Sequence, residues 1–373
     1  MNYISHLGIY DDAAAIQAAL DEGSLANPYV AYDEQLQELD WNTLSAVDNR
    51  LRVTYNIEDV SSPTIISYNR EADEYDPETG DPIFVTPYNK VELEDGTDIT
   101  ADLVYDYGEV SYQFPEDGVY TLLFTLTGNT LWMFDFEDDN PGLFTDRTEI
   151  TSVVIPETVT ELGEATFSGC RNLASVNIPS GVTILRTNVF NGCHLSSIDF
   201  PDGLEEIGNS AFYESFSDWE PGDDKPDVIL PESVTFVGDA AFNSCALGNV
   251  YIPSGVTFPE QIDDSPFGQV FGTLTIEEGL TEIPGMCVYA DPAESVAYLP
   301  ASLLEIGDNG ITDFYTYHFA GTTPPTFGSD ALGSDFEVIY APCDALSAYE
   351  NAIGAINPSG NEITYNCDTP SEN

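Results

Sequence analysis

Carboxylates are the only reactive side chains this sequence holds in quantity, with 66 Asp and Glu against eight Lys and Arg. Two carboxylates about 5–10 Å apart across a rigid cleft can cleave a glycosidic bond, one as acid and the other as base or nucleophile. With so many acids, every spacing between two of them recurs by chance, so no pair stands out. The run Asp135–Asn140 has ligand types that suit calcium. It lacks the alternating ligands and sixth-position glycine of a helix–loop–helix calcium site, and it reads as a solvated acidic loop. His6, His194 and His318 show no ligand spacing, and the six cysteines form no CxxC pair, so a zinc site is not expected. No GxSxG elbow, P-loop, dinucleotide fingerprint or HExxH pair occurs. The sequence predicts no enzyme, no metal site and no cofactor.

Charge then bounds the partners. The formal net charge is −58. Such a field repels phosphate backbones and anionic lipid, so neither nucleic acid nor a membrane surface is expected as a partner. The acids are interspersed among large hydrophobic residues, which reads as solubility rather than adaptation to high salt. Apolar residues make up 42% of the chain, enough to build a core. The apolar runs are far shorter than the ~20 residues that span a bilayer. The opening MNYISHLGIYDDAAAIQ has no basic n-region and no apolar h-region. It does not read as a secretory signal, which predicts synthesis in a cytoplasm.

The elements that must position any surface follow in order. Residues 1–50 form an anchor segment: Asp11 or Asp12 caps a helix with body AAAIQAALDE, Gly23 ends it, and PYVAY follows as an extended piece. Residues 51–128 hold short β-rich runs (LRVTYNI, TIISY, PIFVTPY, VSYQF, YTLLFTL) between turn-rich stretches, the pattern of a small β-sandwich-like domain. Residues 129–148 form a linker or cap. Residues 351–373 form a C-terminal cap and tail.

Residues 149–350 repeat. The unit V-x-I-P-x-x-V-x-x-L/I-G-x-x-A/V-F-x-x-C-x-x-L appears as VVIPETVTELGEATFSGCRNL and VNIPSGVTILRTNVFNGCHL, then in further copies. Its prolines stand at 156, 179, 201, 231, 253, 300 and 342, with an acidic insert, FSDWEPGDDKPD, before Pro231. A period of 22–23 residues with alternating apolar positions marks a leucine-rich solenoid. Nine turns are expected. Val153, Ile155, Val176, Ile178, Ile198 and Phe200 should point inward, with Phe167, Phe190, Phe212 and Phe242 behind the strands. The fold class is therefore mainly β: an N-terminal helical or extended anchor, a β-sandwich-like domain and a leucine-rich-repeat solenoid.

This unit resembles the BspA-like, or Treponema-type, leucine-rich repeat. That resemblance implies surface adhesion and protein binding, without enzymatic activity. The opening AAIQAALDEGSLANPYVAYDEQ also resembles the N-termini of virion proteins of gut Bacteroidetes phages, including crAss-like phages, where such a segment anchors a head fibre or decoration. Together with the missing signal, the two resemblances imply a phage structural protein, made in the host cytoplasm and carried on the virion. It would meet other virion proteins through its N-terminal segment, and a host surface protein or glycan through the solenoid. A bacterial cell-surface adhesin is the alternative, and a polysaccharide-degrading enzyme the third reading.

Three expectations concern particular residues. The outward row Val154, Asn177, Asp199, Ile229, Tyr251, Thr275, Tyr298, His318 and Ile339 carries Val, Ile or Tyr at five of nine sites, a composition that suits a contact surface. Another part of the chain, or a second copy, could equally cover it. Cys170, Cys193 and Cys245 each follow a repeat phenylalanine by three residues, so they read as small buried groups, and all six cysteines are expected free. Lateral packing of so acidic a chain is costly. The main interface, to a particle or to sister copies in a homo-oligomer, is therefore assigned to Ile4, Leu7, Ile9, Ile16, Leu20, Tyr29, Val30 and Tyr32.

Overall fold

The structure is a computed structural model. It describes residues 49–68, 70–75, 82–106, 108–131, 142–216, 225–259, 262–291, 295–356 and 363–368. The expected N-terminal helix, all eight anchor residues and the acidic run at 135–140 lie outside the described residues.

The repeats coil into a β-solenoid of about nine turns. Alternation sends every second side chain inward. Val228, Val250, Leu274, Ala297, Tyr317 and Ile339 thus stack in parallel register as one buried row. Their strands form a seven-stranded parallel sheet that ends on Thr364–Asp368. Proline after a strand cannot donate to the ladder, so the chain turns there. Of the expected inward residues, Val153, Ile155, Ile178 and Ile198 are buried, while Val176 and Phe200 are half-buried.

Behind the strands runs a column of buried rings. Phe144, Phe167, Phe190, Phe212, Phe242 and Phe267 stack with centroids 5.1–5.7 Å apart and nearly parallel planes. Left-handed backbone brackets the early rings: Ala165 (φ 51°) and Gly169 (φ 72°) around Phe167, Asn188 (φ 57°) and Gly192 (φ 65°) around Phe190. The repeat cysteines do more than fill space. Each donates its thiol to the carbonyl of the phenylalanine one coil back: Cys170 to Phe144 (3.0 Å), Cys193 to Phe167 (3.2 Å) and Cys245 to Phe212 (3.0 Å). Ser215 fills the same place and donates to Phe190.

The β-rich segment shares the solenoid's first sheet. The strand Arg50–Ile57 lies antiparallel to Gly118–Leu126 on one side and to the first coil's Ile150–Val154 on the other. A three-stranded sheet of Thr64–Tyr68, Glu109–Tyr112 and Val104–Asp106 accompanies it. Tyr55 and Phe114 lie buried with ring centroids 6.5 Å apart, and the Tyr55 hydroxyl donates to the Ile66 carbonyl. Phe124 of Gly118–Leu126 meets Phe144 edge-on at 5.9 Å, joining this core to the phenylalanine column.

At the other end, the helix Leu346–Ile356 buries Tyr349 and Ile353, four residues apart on one face. The Tyr349 hydroxyl donates to the Gly321 carbonyl (3.1 Å). The chain then returns as Thr364–Asp368, parallel to Val338–Pro342. This return corrects the expectation of six free thiols. Cys343 and Cys367 form a disulfide, Cα atoms 4.5 Å apart, while Cys170, Cys193, Cys245 and Cys287 are free and buried. Repeat position explains the thiols of the column; the pair outside it meets only because the helix folds the chain back.

Candidate binding face

The outward row begins where the inward row leaves off. Apart from Asn177, which follows the half-buried Val176, each outward residue follows a buried one, and strand register decides which of them meet. Ile229 pairs with Tyr251, Tyr251 with Thr275, Thr275 with Tyr298 and Tyr298 with His318. Val154, Ile229 and Tyr298 are 48%, 54% and 45% exposed, which leaves half of each apolar side chain in water. Asp199 is also exposed; Asn177, Tyr251, Thr275 and His318 are half-buried. Asn177 is structural in part: its amide bonds both the N–H (2.7 Å) and the carbonyl (2.8 Å) of Ile155.

Ile339 does not belong to the row. It is fully buried beneath Tyr317's position, and Tyr340 takes the outward site beside His318. Counting back two residues from Pro342, as the earlier prolines require, identifies Tyr340; Ile339 comes from an offset carried over from Gly321, where the repeat is irregular. The consequence is a run of three rings. Tyr298 and His318 stack at 4.7 Å and 24°, His318 and Tyr340 at 4.3 Å and 2°.

At the other end of the strip, the Tyr251 hydroxyl donates to Glu232 (3.0 Å). Partial burial and the carboxylates of Glu232 and Glu277 push its phenol up to about 12, so it acts as a neutral donor at physiological pH. Glu277 accepts the Ser254 N–H (2.8 Å), which holds its carboxyl below the usual range. Carboxylates therefore tie neighbouring coils together along one border. Glu157 on Ser180 (3.0 Å) and Glu278 on Ala301 (2.8 Å) repeat the device.

The row sets ring edges, hydroxyls and an imidazole at the spacing of adjacent strands. The buried thiols are unreactive. Burial pushes Cys170 and Cys245 up to about 12 and Cys193 and Cys287 well above the ordinary thiol range, so all four stay protonated. A hollow of about 270 Å³ on another side is lined by Asn243, Asp264, Ser265, Met286, Tyr289 and Asn309, among others. Among the described residues, no group of three or more His, Cys, Asp or Glu is placed to hold a metal ion, and no helix is long and apolar enough to cross a membrane.

Residues 140–267 and 224–315 match the BspA type leucine rich repeat region, in six copies. Among solved structures, the chain is similar to a leucine rich cell surface protein from Faecalibacterium prausnitzii, at 22% identity and a TM-score of 0.23, covering 60% of this chain and 61% of that one. It is also similar to a leucine-rich repeat protein from Bacteroides ovatus, at 14% identity and a TM-score of 0.18, covering 72% of this chain and 98% of that one. The chain thus spans about three-fifths of the length of the first of these structures. No curated protein matches.

Proposed function

We propose that this chain, with BspA-type leucine-rich repeats over residues 140–315, is a non-enzymatic binding protein displayed outside the cell, and that its outward strand face is the contact surface. The observation that carries this reading is the register of the outward row. Ile229, Tyr251, Tyr298, His318 and Tyr340 lie side by side on a rigid sheet instead of being scattered over the surface. The Cys343–Cys367 disulfide supports the location, because such bonds persist in oxidising surroundings. Protease shaving of intact producing cells, followed by mass spectrometry, tests it. Peptides from residues 140–345 are expected in the released fraction; their appearance only after lysis overturns the reading.

A phage head fibre or decoration is the second reading. Its support is the resemblance of residues 14–35 to virion N-termini, and the same face would then meet the host. Mass spectrometry of purified virions decides it: absence of the chain from particles ends this reading.

A further inference from the structure

The same face constrains the chemistry of what it binds. From Ile229 to Tyr340 it crosses six strands, about 24 Å at roughly 4.8 Å per step. Its outward residues along that length, Ile229, Tyr251, Thr275, Tyr298, His318 and Tyr340, include no acid, although acids crowd the rest of the chain. Acids return at the border: Glu232, Glu277 and Glu278 stand just past the strand ends. An apolar, tyrosine-rich centre inside a charged rim is the anatomy of a protein–protein interface, and about 24 Å approaches the width of a standard one.

Ring orientation separates a protein from a glycan. A pyranose stacks on the open face of an aromatic ring. Here Tyr298, His318 and Tyr340 lie face to face, 4.7 and 4.3 Å apart, so their facing surfaces are used up on one another. Thr275 and Asn366 stand in register on the outer sides of Tyr298 and Tyr340, so the run presents chiefly edges and polar tips, which suit packing against side chains and hydrogen bonding to a polypeptide. Charge settles the sign of the partner. A chain at −58, with carboxylates along this border, repels an acidic surface and attracts a basic one.

We infer that the face from Ile229 to Tyr340 docks a protein surface that is apolar at its centre and rich in Lys and Arg at its rim. The inference rests on the reading of this face as the contact surface and names the partner's chemistry. Electrostatic attraction steers the encounter; burial of Ile229 and Tyr298, each about half exposed, supplies the specific part of the affinity.

The test uses the immobilised full-length chain and three soluble probes: an amphipathic Leu/Lys 18-mer, a Leu/Glu 18-mer of the same pattern, and the neutral hexasaccharide cellohexaose. The Leu/Lys peptide is expected to bind, weakening as salt rises without disappearing at 0.5 M NaCl. The Tyr298→Ala/Tyr340→Ala variant should weaken it at least tenfold, and the other two probes should not bind. Ile229→Asp, on the same face and half exposed, should weaken it several-fold and decides the matter if the double variant fails to fold. Unchanged Leu/Lys binding in folded variants means charge attraction alone, and overturns the inference. Binding of the hexasaccharide that the variants abolish also overturns it, while leaving the contact face itself intact. Failure of the surface location appears instead in the shaving experiment, whatever the probes do.

Discussion

The early and late coils arrange their aromatic residues differently: the late ones also bury rings such as Phe314, Tyr317 and Phe319, but not in one stacked column, and they add a stack on the outside. From Phe144 to Phe267 the rings form one interior column, and the outward positions are mixed: Val154, Asn177, Asp199, Ile229 and Tyr251. Beyond Phe267 the column's later positions pass to smaller residues such as Val288 and Ile311. There Tyr298, His318 and Tyr340 stack on the outside. The late coils also end in a helix and a disulfide that close the solenoid. The difference teaches that the regular repeats are organised for stacking, whereas the irregular ones are released from the consensus to carry a surface and a cap. Nearest-neighbour stacking makes this division workable, since each coil's stability depends chiefly on its two neighbours.

Substituting the two kinds of ring is the strongest way to break that comparison. Phe190 is fully buried between Phe167 and Phe212, at 5.5 and 5.4 Å. Phe190→Ala should cost about 3–5 kcal/mol, read as a lowered urea midpoint. Removing the disulfide comes next. Cys343→Ser/Cys367→Ser, which opens a loop of 24 residues, should cost about 3 kcal/mol. Hydrogen exchange should quicken over 338–368 and stay unchanged around Phe167. Consistent with this split, iodoacetamide at pH 8 should leave Cys170, Cys193, Cys245 and Cys287 unlabelled in the native protein and label all four on unfolding.

Two smaller effects sharpen the picture. Ser244 follows Phe242 by two residues and holds φ 59°, where the equivalent early positions are Gly169 and Gly192. Ser244→Gly relieves left-handed strain and loosens the unfolded chain, for a net gain of about 0.5 kcal/mol in thermal unfolding. Glu277 gives the smallest. Its folded carboxyl titrates below the unfolded value because it accepts the Ser254 N–H. Its contribution is therefore present above the unfolded pKa of about 4.3 and is lost as pH falls through the lower folded pKa. Glu277→Gln should flatten the acid limb of the stability profile in that window, with a small loss at pH 7 that vanishes below the folded pKa.

The solenoid was legible because its determinants are local and periodic: Pro156, Pro179 and Pro201 mark strand ends, and Phe167, Phe190 and Phe212 recur at a coil's length. The outward row followed from the same count and went wrong only at Ile339, where the period had drifted through the irregular stretch around Gly321. Non-local features were hidden. Nothing near Arg50–Ile57 announces that it will pair with Ile150–Val154, about a hundred residues away. Cys343 and Cys367 carry no repeat position, so only the helix between them brings them together. The thiol donations to Phe144, Phe167 and Phe212 were half visible: the spacing gave burial, and Ser215 at the equivalent site was the clue that a donor is wanted there.

The measurement that bears most directly on the division between interior column and outward strip is the stability of Tyr298→Ala beside that of Phe190→Ala. Tyr298 stacks on one side chain, His318, and is 45% exposed. Equilibrium urea unfolding should show a loss of about 1 kcal/mol for Tyr298→Ala, against about 3–5 for Phe190→Ala. Equal losses would mean that Tyr298 is there to hold the coils together, and would contradict the assignment of the outward strip to binding.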